Sequence, residues 1–81
     1  MKAIQIKYLP TTEYLGNRLK AFTDAGSITV GRDYEYEARE QAIRLAFHYC
    51  HEYNWPCGQV AFSQLPNGDY VMIIQVEDGL K

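Results

Sequence analysis

Near the end of the longest periodic segment, His48 lies three positions from His51 and four from Glu52. On a helix that spacing brings two imidazoles and a carboxylate onto one side, the minimum for a shared metal ion. The same spacing also describes a solvated helix face with Glu40–Arg44 and His48–Glu52 pairs, each worth only a few tenths of a kcal/mol. The solvated face is the reading we carry forward, with no metal and no cofactor. Cys50 next to His51 offers a thiol and a base, but neighbours in a helix point in different directions, so no base is positioned on the sulfur. Cys57 is expected to be more exposed, and no base accompanies it either. A phosphate-cradling glycine loop, a serine elbow and a carboxylate dyad are all missing from the sequence, so no catalytic residue is assigned and the chain is not expected to be an enzyme.

Binding chemistry has more to work with. Lys7, Arg18 and Lys20 fall on expected strands, where they would contact phosphates of a nucleic acid. They serve equally as solvating residues that discourage edge pairing, and a net charge of -2 from eight basic and ten acidic residues weighs against a partner dominated by phosphate. The chain also holds seven tyrosines. Tyrosine and arginine are preferred interface anchors. A small core with hydroxyls reaching water would account for Tyr8, Tyr49 and Tyr70, but accounts less well for Tyr14, Tyr34 and Tyr36. The partner-binding candidates are therefore Tyr14, Leu15, Glu37, Glu40, Arg44 and Glu52.

The elements that must position these residues follow from periodicity. Ala3 to Leu9 alternates as a strand, with Ile4, Ile6 and Tyr8 on its core face and Gln5 and Lys7 on the other. Pro10 to Gly16 is a loop that exposes Tyr14 and Leu15. Asn17 to Thr23 and Ser27 to Gly31 are strands joined by a turn at Asp24, Ala25 and Gly26, completing a three-stranded meander. Glu35 to Tyr53 is the helix. Ala38, Ala42, Leu45, Ala46, Tyr49 and Tyr53 form its packing side, widened by Ile43, Phe47 and Cys50, and Glu37, Glu40, Gln41, Arg44, His48, His51 and Glu52 form its outer arc. Asp33 is a candidate cap, Glu35, Glu37 and Glu40 suit the positive end of the dipole, and Asn54, Trp55 and Pro56 end the helix with Trp55 as a lid.

Gly58 to Leu65 and Asp69 to Val76 are strands around Pro66-Asn67-Gly68, a strong hairpin signal. The last strand is apolar on both faces, with Val71 and Ile73 opposite Tyr70, Met72, Ile74 and Val76. It should therefore lie inside the sheet or under a partner, such as a second copy of the chain forming a homodimer through the outer sheet face. The expected fold is α+β, β-β-β-α-β-β, with one long helix packed on one face of an antiparallel sheet.

Eighty-one residues suffice for one domain, spanning 1–81, in which a single core supplies nearly all the stability. Apolar residues at 47% and charged residues at 22% describe an ordinary soluble globule. The opening MKAIQIKYLP alternates rather than sustaining an apolar run, so the expectation is a cytoplasmic protein with no membrane partner and with both cysteines as thiols.

The same opening, with Thr12, Gly16, Arg18, Leu19, Lys20 and Ala21, the SITV strand, the alanine-containing helix ending near a tryptophan and the closing LPNGDYV, resembles a group of small proteins encoded by bacteriophages and prophages. That resemblance implies a mobile-element origin, expression in a bacterial host, and stoichiometric binding to a host protein complex. Inhibition of a defence system, restriction or CRISPR machinery, is the implied kind of role. The alternative expectation is a small nucleic-acid-binding module that uses a basic open sheet face.

Overall fold

The computed structural model describes residues 2–56 and 58–75, so the expectations placed on Cys57 and Val76 lie outside the described residues. Its elements are β1 (Lys2–Leu9), β2 (Arg18–Thr23), β3 (Gly26–Gly31), α1 (Ala38–Glu52), β4 (Gln59–Gln64) and β5 (Tyr70–Gln75), in the expected β-β-β-α-β-β order. All five strands join one antiparallel sheet in the order β3-β2-β1-β5-β4. The meander β1–β3 builds one half, α1 carries the chain to the far edge, and β5 returns to lie against β1. Val71 and Ile73 are explained by that return: flanked by strands on both sides, they are only partly exposed.

Strand alternation places the core. Ile6 stands opposite Ala21 and Tyr70, Ile4 opposite Met72, and Leu19 opposite Val30. Directly opposed residues share a face, and on this face Ile4, Ile6, Leu19, Ala21, Met72 and Ile74 are buried beneath Ala42, Leu45, Ala46, Tyr49 and Cys50 of the helix. The helix rests on β1, β2 and β5. Alanine at 21, 42 and 46 lets its backbone come close to the sheet.

The helix entrance differs from the expectation. α1 starts at Ala38 rather than Glu35, and Glu37 is its N-cap without a side-chain capping bond. Asp33 caps a turn instead: its carboxylate accepts the Glu35 N–H at 3.0 Å and its carbonyl accepts the Tyr36 N–H at 3.2 Å. Local Asx bonding competes with helix formation, so Tyr34 to Tyr36 stay outside the helix. The exit is as expected. Trp55 N–H bonds the Cys50 carbonyl at 2.8 Å and Asn54 N–H the His51 carbonyl at 3.3 Å, with Asn54 at φ 56. That pattern is a Schellman cap, and asparagine is among the few residues that tolerate its left-handed position.

Two helix positions were misassigned to their sides. Gln41, expected on the outer arc, is only 7% exposed. It lies four residues before Leu45, roughly 40° away around the helix, so geometry favours burial and only its polarity argued otherwise. Phe47, expected to widen the packing side, is 38% exposed. It is five residues from Ala42, roughly 140° round the helix.

The β4–β5 hairpin closes through Leu65 N–H to the Asp69 carbonyl at 2.6 Å and Gly68 N–H to the Leu65 carbonyl at 2.9 Å. Gly68, at φ 97, supplies the left-handed residue of the three-residue loop.

Candidate interaction surfaces

At one end of the sheet, the Pro10–Gly16 loop, the start of β2, the end of β3 and the connection into α1 come together. Asn17 holds them. Its side chain accepts the Thr11 hydroxyl at 2.7 Å and donates to the Tyr34 hydroxyl at 2.6 Å, while its carbonyl accepts the Arg32 N–H at 2.9 Å. The Arg32 guanidinium stacks over Tyr34 at 4.7 Å and donates to the Tyr36 carbonyl at 2.9 Å and to the carbonyl of Asp33. Desolvation and the adjacent Tyr34 hydroxyl raise the pKa of Tyr8, and Arg32 partly offsets them.

Gln41 is the buried support for this end, and sequence reasoning missed it. Its Oε1 accepts from Asp33 N–H at 2.9 Å and from Arg32 Nη1 at 3.0 Å, and its Nε2 donates to the Gly31 carbonyl at 2.8 Å. A single amide thus joins β3, the connection and the first helical turn. The helical net, read without regard to polarity, was the signal that would have found it.

The side chains displayed here are large and apolar. Tyr14 is 86% exposed, Tyr34 71%, Leu15 52% and Tyr8 44%, four of the six large hydrophobic residues that stand out from the described surface. Tyr8 shares the core face of β1, as expected, yet belongs to this exposed end. Thr12 shapes the loop under Tyr14 and Leu15, its hydroxyl accepting the Leu15 N–H at 3.1 Å. Next to them a groove of about 330 Å³ runs between the β3 edge and α1, with Val30, Tyr36, Leu45 and His48 in its walls.

Of the helix candidates, Glu37, Glu40 and Arg44 lie at the same end, because α1 begins there. Arg44 pairs with Glu40 at 3.5 Å and lies over the Tyr36 ring at 4.3 Å. Both charged groups are more than half exposed, so the pair contributes only a few tenths of a kcal/mol. Glu52 is not brought to them. It stands at the other end of α1, fifteen residues from Glu37 and therefore roughly 22 Å along the axis. His48 and Glu52 form no ion pair among the described residues, and no group of three His, Cys, Asp or Glu among them is placed to hold a metal ion.

Lys7, Arg18 and Lys20 are gathered on the sheet face away from the helix. Lys7 stands directly opposite Lys20, and Arg18 occupies the next row opposite Leu9. Phe22 continues the line of Arg18 and Lys20 along β2, with Lys20 Nζ 5.7 Å from its ring centre.

The opposite end of the sheet holds aromatic residues of another kind. Tyr49 is fully buried, its ring stacked on Tyr53 at 4.3 Å and edge-on to Trp55 at 5.4 Å. Its hydroxyl donates to the Gly26 carbonyl at 2.8 Å and shares a 2.8 Å hydrogen bond with the Thr23 hydroxyl. Burial raises its pKa, with the Thr23 bond opposing. Lys2 Nζ lies 4.4 Å from the Trp55 ring centre, closing the lid.

No family model, no curated protein and no solved structure gives a significant match to the chain. The fold and surfaces define a small α+β protein with one helix over a five-stranded antiparallel sheet, and no helix among the described residues is long and apolar enough to cross a membrane.

Proposed function

We propose that this protein is a non-enzymatic binding module whose tyrosine-bearing end docks onto a protein partner. The observation that carries the reading is the clustering of Tyr8, Tyr14, Leu15 and Tyr34 at one end of the sheet. Monomer surfaces seldom gather large apolar side chains without a reason, and tyrosine beside arginine is the composition of interface hot spots. The groove beside them offers a pocket for a partner's own anchor. Glu37, Glu40 and Arg44 supply a charged rim, which acts on the rate and selectivity of docking more than on its strength.

The resemblance to phage-encoded proteins supplies the setting: a host protein complex in the bacterial cytoplasm, with a defence complex as the target. Expression in a host defended by restriction or CRISPR machinery should raise the plating efficiency of a sensitive phage. The purified chain should bind the responsible complex directly. Tyr14→Ala with Leu15→Ser, or Tyr34→Ala, should weaken that binding at least tenfold, and Glu37→Lys with Glu40→Lys should weaken it less. A Glu52→Lys change, one helix length away, should leave it unaltered. Unchanged binding in the tyrosine variants would sink the proposal.

A further inference from the structure

The sheet face opposite the helix bears a charge arrangement that works against strand pairing. Lys7 and Lys20 are directly opposed across β1 and β2. Like charges in that relation destabilise a strand pair, and Arg18 adds a third positive charge one row away. The described strand residues on this face include no aspartate or glutamate, and the acids among the described residues lie at turns, in the first loop, in the connection and on the helix. Two turn acids border the face: Asp69, whose carboxylate accepts from Gln5 Nε2 at 2.8 Å, and Asp24, which lines a cavity with Gln5 and Phe22. The overall charge of -2 therefore conceals a basic face.

Along β2, Arg18, Lys20 and Phe22 point the same way at every second residue, a repeat of roughly 6.8 Å. Lys7 flanks the middle of that line and Gln5 stands opposite Phe22. Cations that follow an extended backbone, followed by an aromatic ring on which a base can stack, are the elements of a single-strand platform. A duplex is a poorer fit, because among the described residues no helix or ribbon projects from this face to enter a groove.

We propose that this face binds single-stranded nucleic acid, with Lys7, Arg18 and Lys20 on successive phosphates and Phe22 against a base. The site adjoins the tyrosine end at Arg18, whose Nε donates to the Gly16 carbonyl at 3.1 Å, but it lies on the sheet face away from the helix and does not rest on the function proposed for that end. Three phosphate contacts predict a log–log salt dependence with a slope of about −2 for a single strand.

The test is fluorescence anisotropy of the purified chain with labelled oligothymidylate and oligouridylate, and with a duplex of equal length, in a salt series beginning at low ionic strength. The single strands should bind more tightly than the duplex, with that slope. The triple variant Lys7→Gln, Arg18→Gln, Lys20→Gln should lose at least tenfold and flatten the salt dependence. Lys20→Gln alone should lose more than Arg39→Gln, which removes one positive charge from the helix side. Misfolding is separable from lost binding, because relief of the Lys7–Lys20 repulsion should leave the melting temperature of Lys20→Gln equal to or above that of the parent. Absence of binding at the lowest salt, equal affinity for the duplex, or an equal loss in Arg39→Gln would each overturn the assignment. So would competition by polyglutamate as effective as that of the oligonucleotide, which would make the face a site for an acidic protein segment.

Discussion

At the end of the sheet where β2 turns into β3, Tyr49 lies buried against Tyr53 and Trp55 with its hydroxyl bonded to Thr23 and Gly26. At the other end Tyr14 and Tyr34 present their rings to the surface, Tyr34 braced by Asn17 and Arg32. The residue type is the same and the surroundings are opposite. A buried tyrosine holds the fold only if its hydroxyl is satisfied, whereas an exposed one contributes little to folding and keeps its apolar area available for a partner. Stability and recognition should therefore separate by end. Substitution of the buried tyrosine should change stability, and substitution of the exposed tyrosines should change only association.

The sharpest way to break that separation is to remove the buried ring. Tyr49→Ala should cost about 3–5 kcal/mol, the range for deleting a large buried aromatic, which is much of the stability of a chain this small. Urea denaturation monitored by far-UV circular dichroism would show the midpoint fall or the transition vanish. Gly26→Ala attacks the same cluster from the strand side. Gly26 has φ 149, and a methyl group there would collide with the Tyr53 hydroxyl, so the variant should lose about 1–3 kcal/mol. A denaturation midpoint equal to that of the parent in either variant would mean that this cluster is not a structural anchor.

Gln41→Leu probes the support beneath the exposed end. The substitution keeps approximate volume and leaves the Gly31 carbonyl and Asp33 N–H without their side-chain partner, at a cost of about 1–3 kcal/mol. Hydrogen exchange should accelerate most in the connection from Arg32 to Glu37, because that segment loses its tie to the helix. Uniform acceleration across the sheet would indicate that Gln41 supports the whole core rather than this end.

Strand order along the chain, the meander, the Pro66-Asn67-Gly68 hairpin and the helix exit at Asn54 were all legible, because period-two alternation and turn chemistry are local signals. The internal position of β5 was legible for a related reason: Val71 and Ile73 opposite Met72 and Ile74 leave no polar face. The helix entrance was not. Glu35, Tyr36 and Glu37 carry acceptable helical chemistry, and only the bonds from Asp33, Arg32 and Gln41, set by tertiary placement, keep them in a turn. For the same reason the two site expectations fared differently in space. Lys7, Arg18 and Lys20 are gathered by strand register, which alternation specifies, while Glu52 was grouped with Glu37 by helical face although a helix length separates them.

Alkaline titration gives a smaller effect at the buried end. Tyr49 is held above the ordinary tyrosine pKa of about 10 by burial. The unfolded chain therefore loses this proton at lower pH than the folded one, and linkage makes stability fall as pH rises from about 10 toward the folded value. Below that window the contribution is intact. Tyrosinate absorbance should show Tyr8 and Tyr49 titrating late in the folded protein and normally in denaturant, and Tyr49→Phe should remove the Tyr49 share of the late component. A late component undiminished in Tyr49→Phe would assign it elsewhere.

The smallest stability effect is expected where the proposed recognition effect is largest. Tyr14→Ala makes no cavity and breaks no side-chain hydrogen bond among the described residues, since the loop is shaped by Thr12 and its backbone, so the denaturation midpoint should move by no more than about 0.5 kcal/mol in free energy. Tyr34→Phe removes one exposed bond to Asn17 and should behave in the same way. Both variants should melt like the parent while only Tyr14→Ala loses the docking area of its ring. If Tyr14→Ala instead destabilised the protein by a kcal/mol or more, its ring would be packing in solution, and the contrast between a structural and a recognition end would fail at the residue on which it depends most.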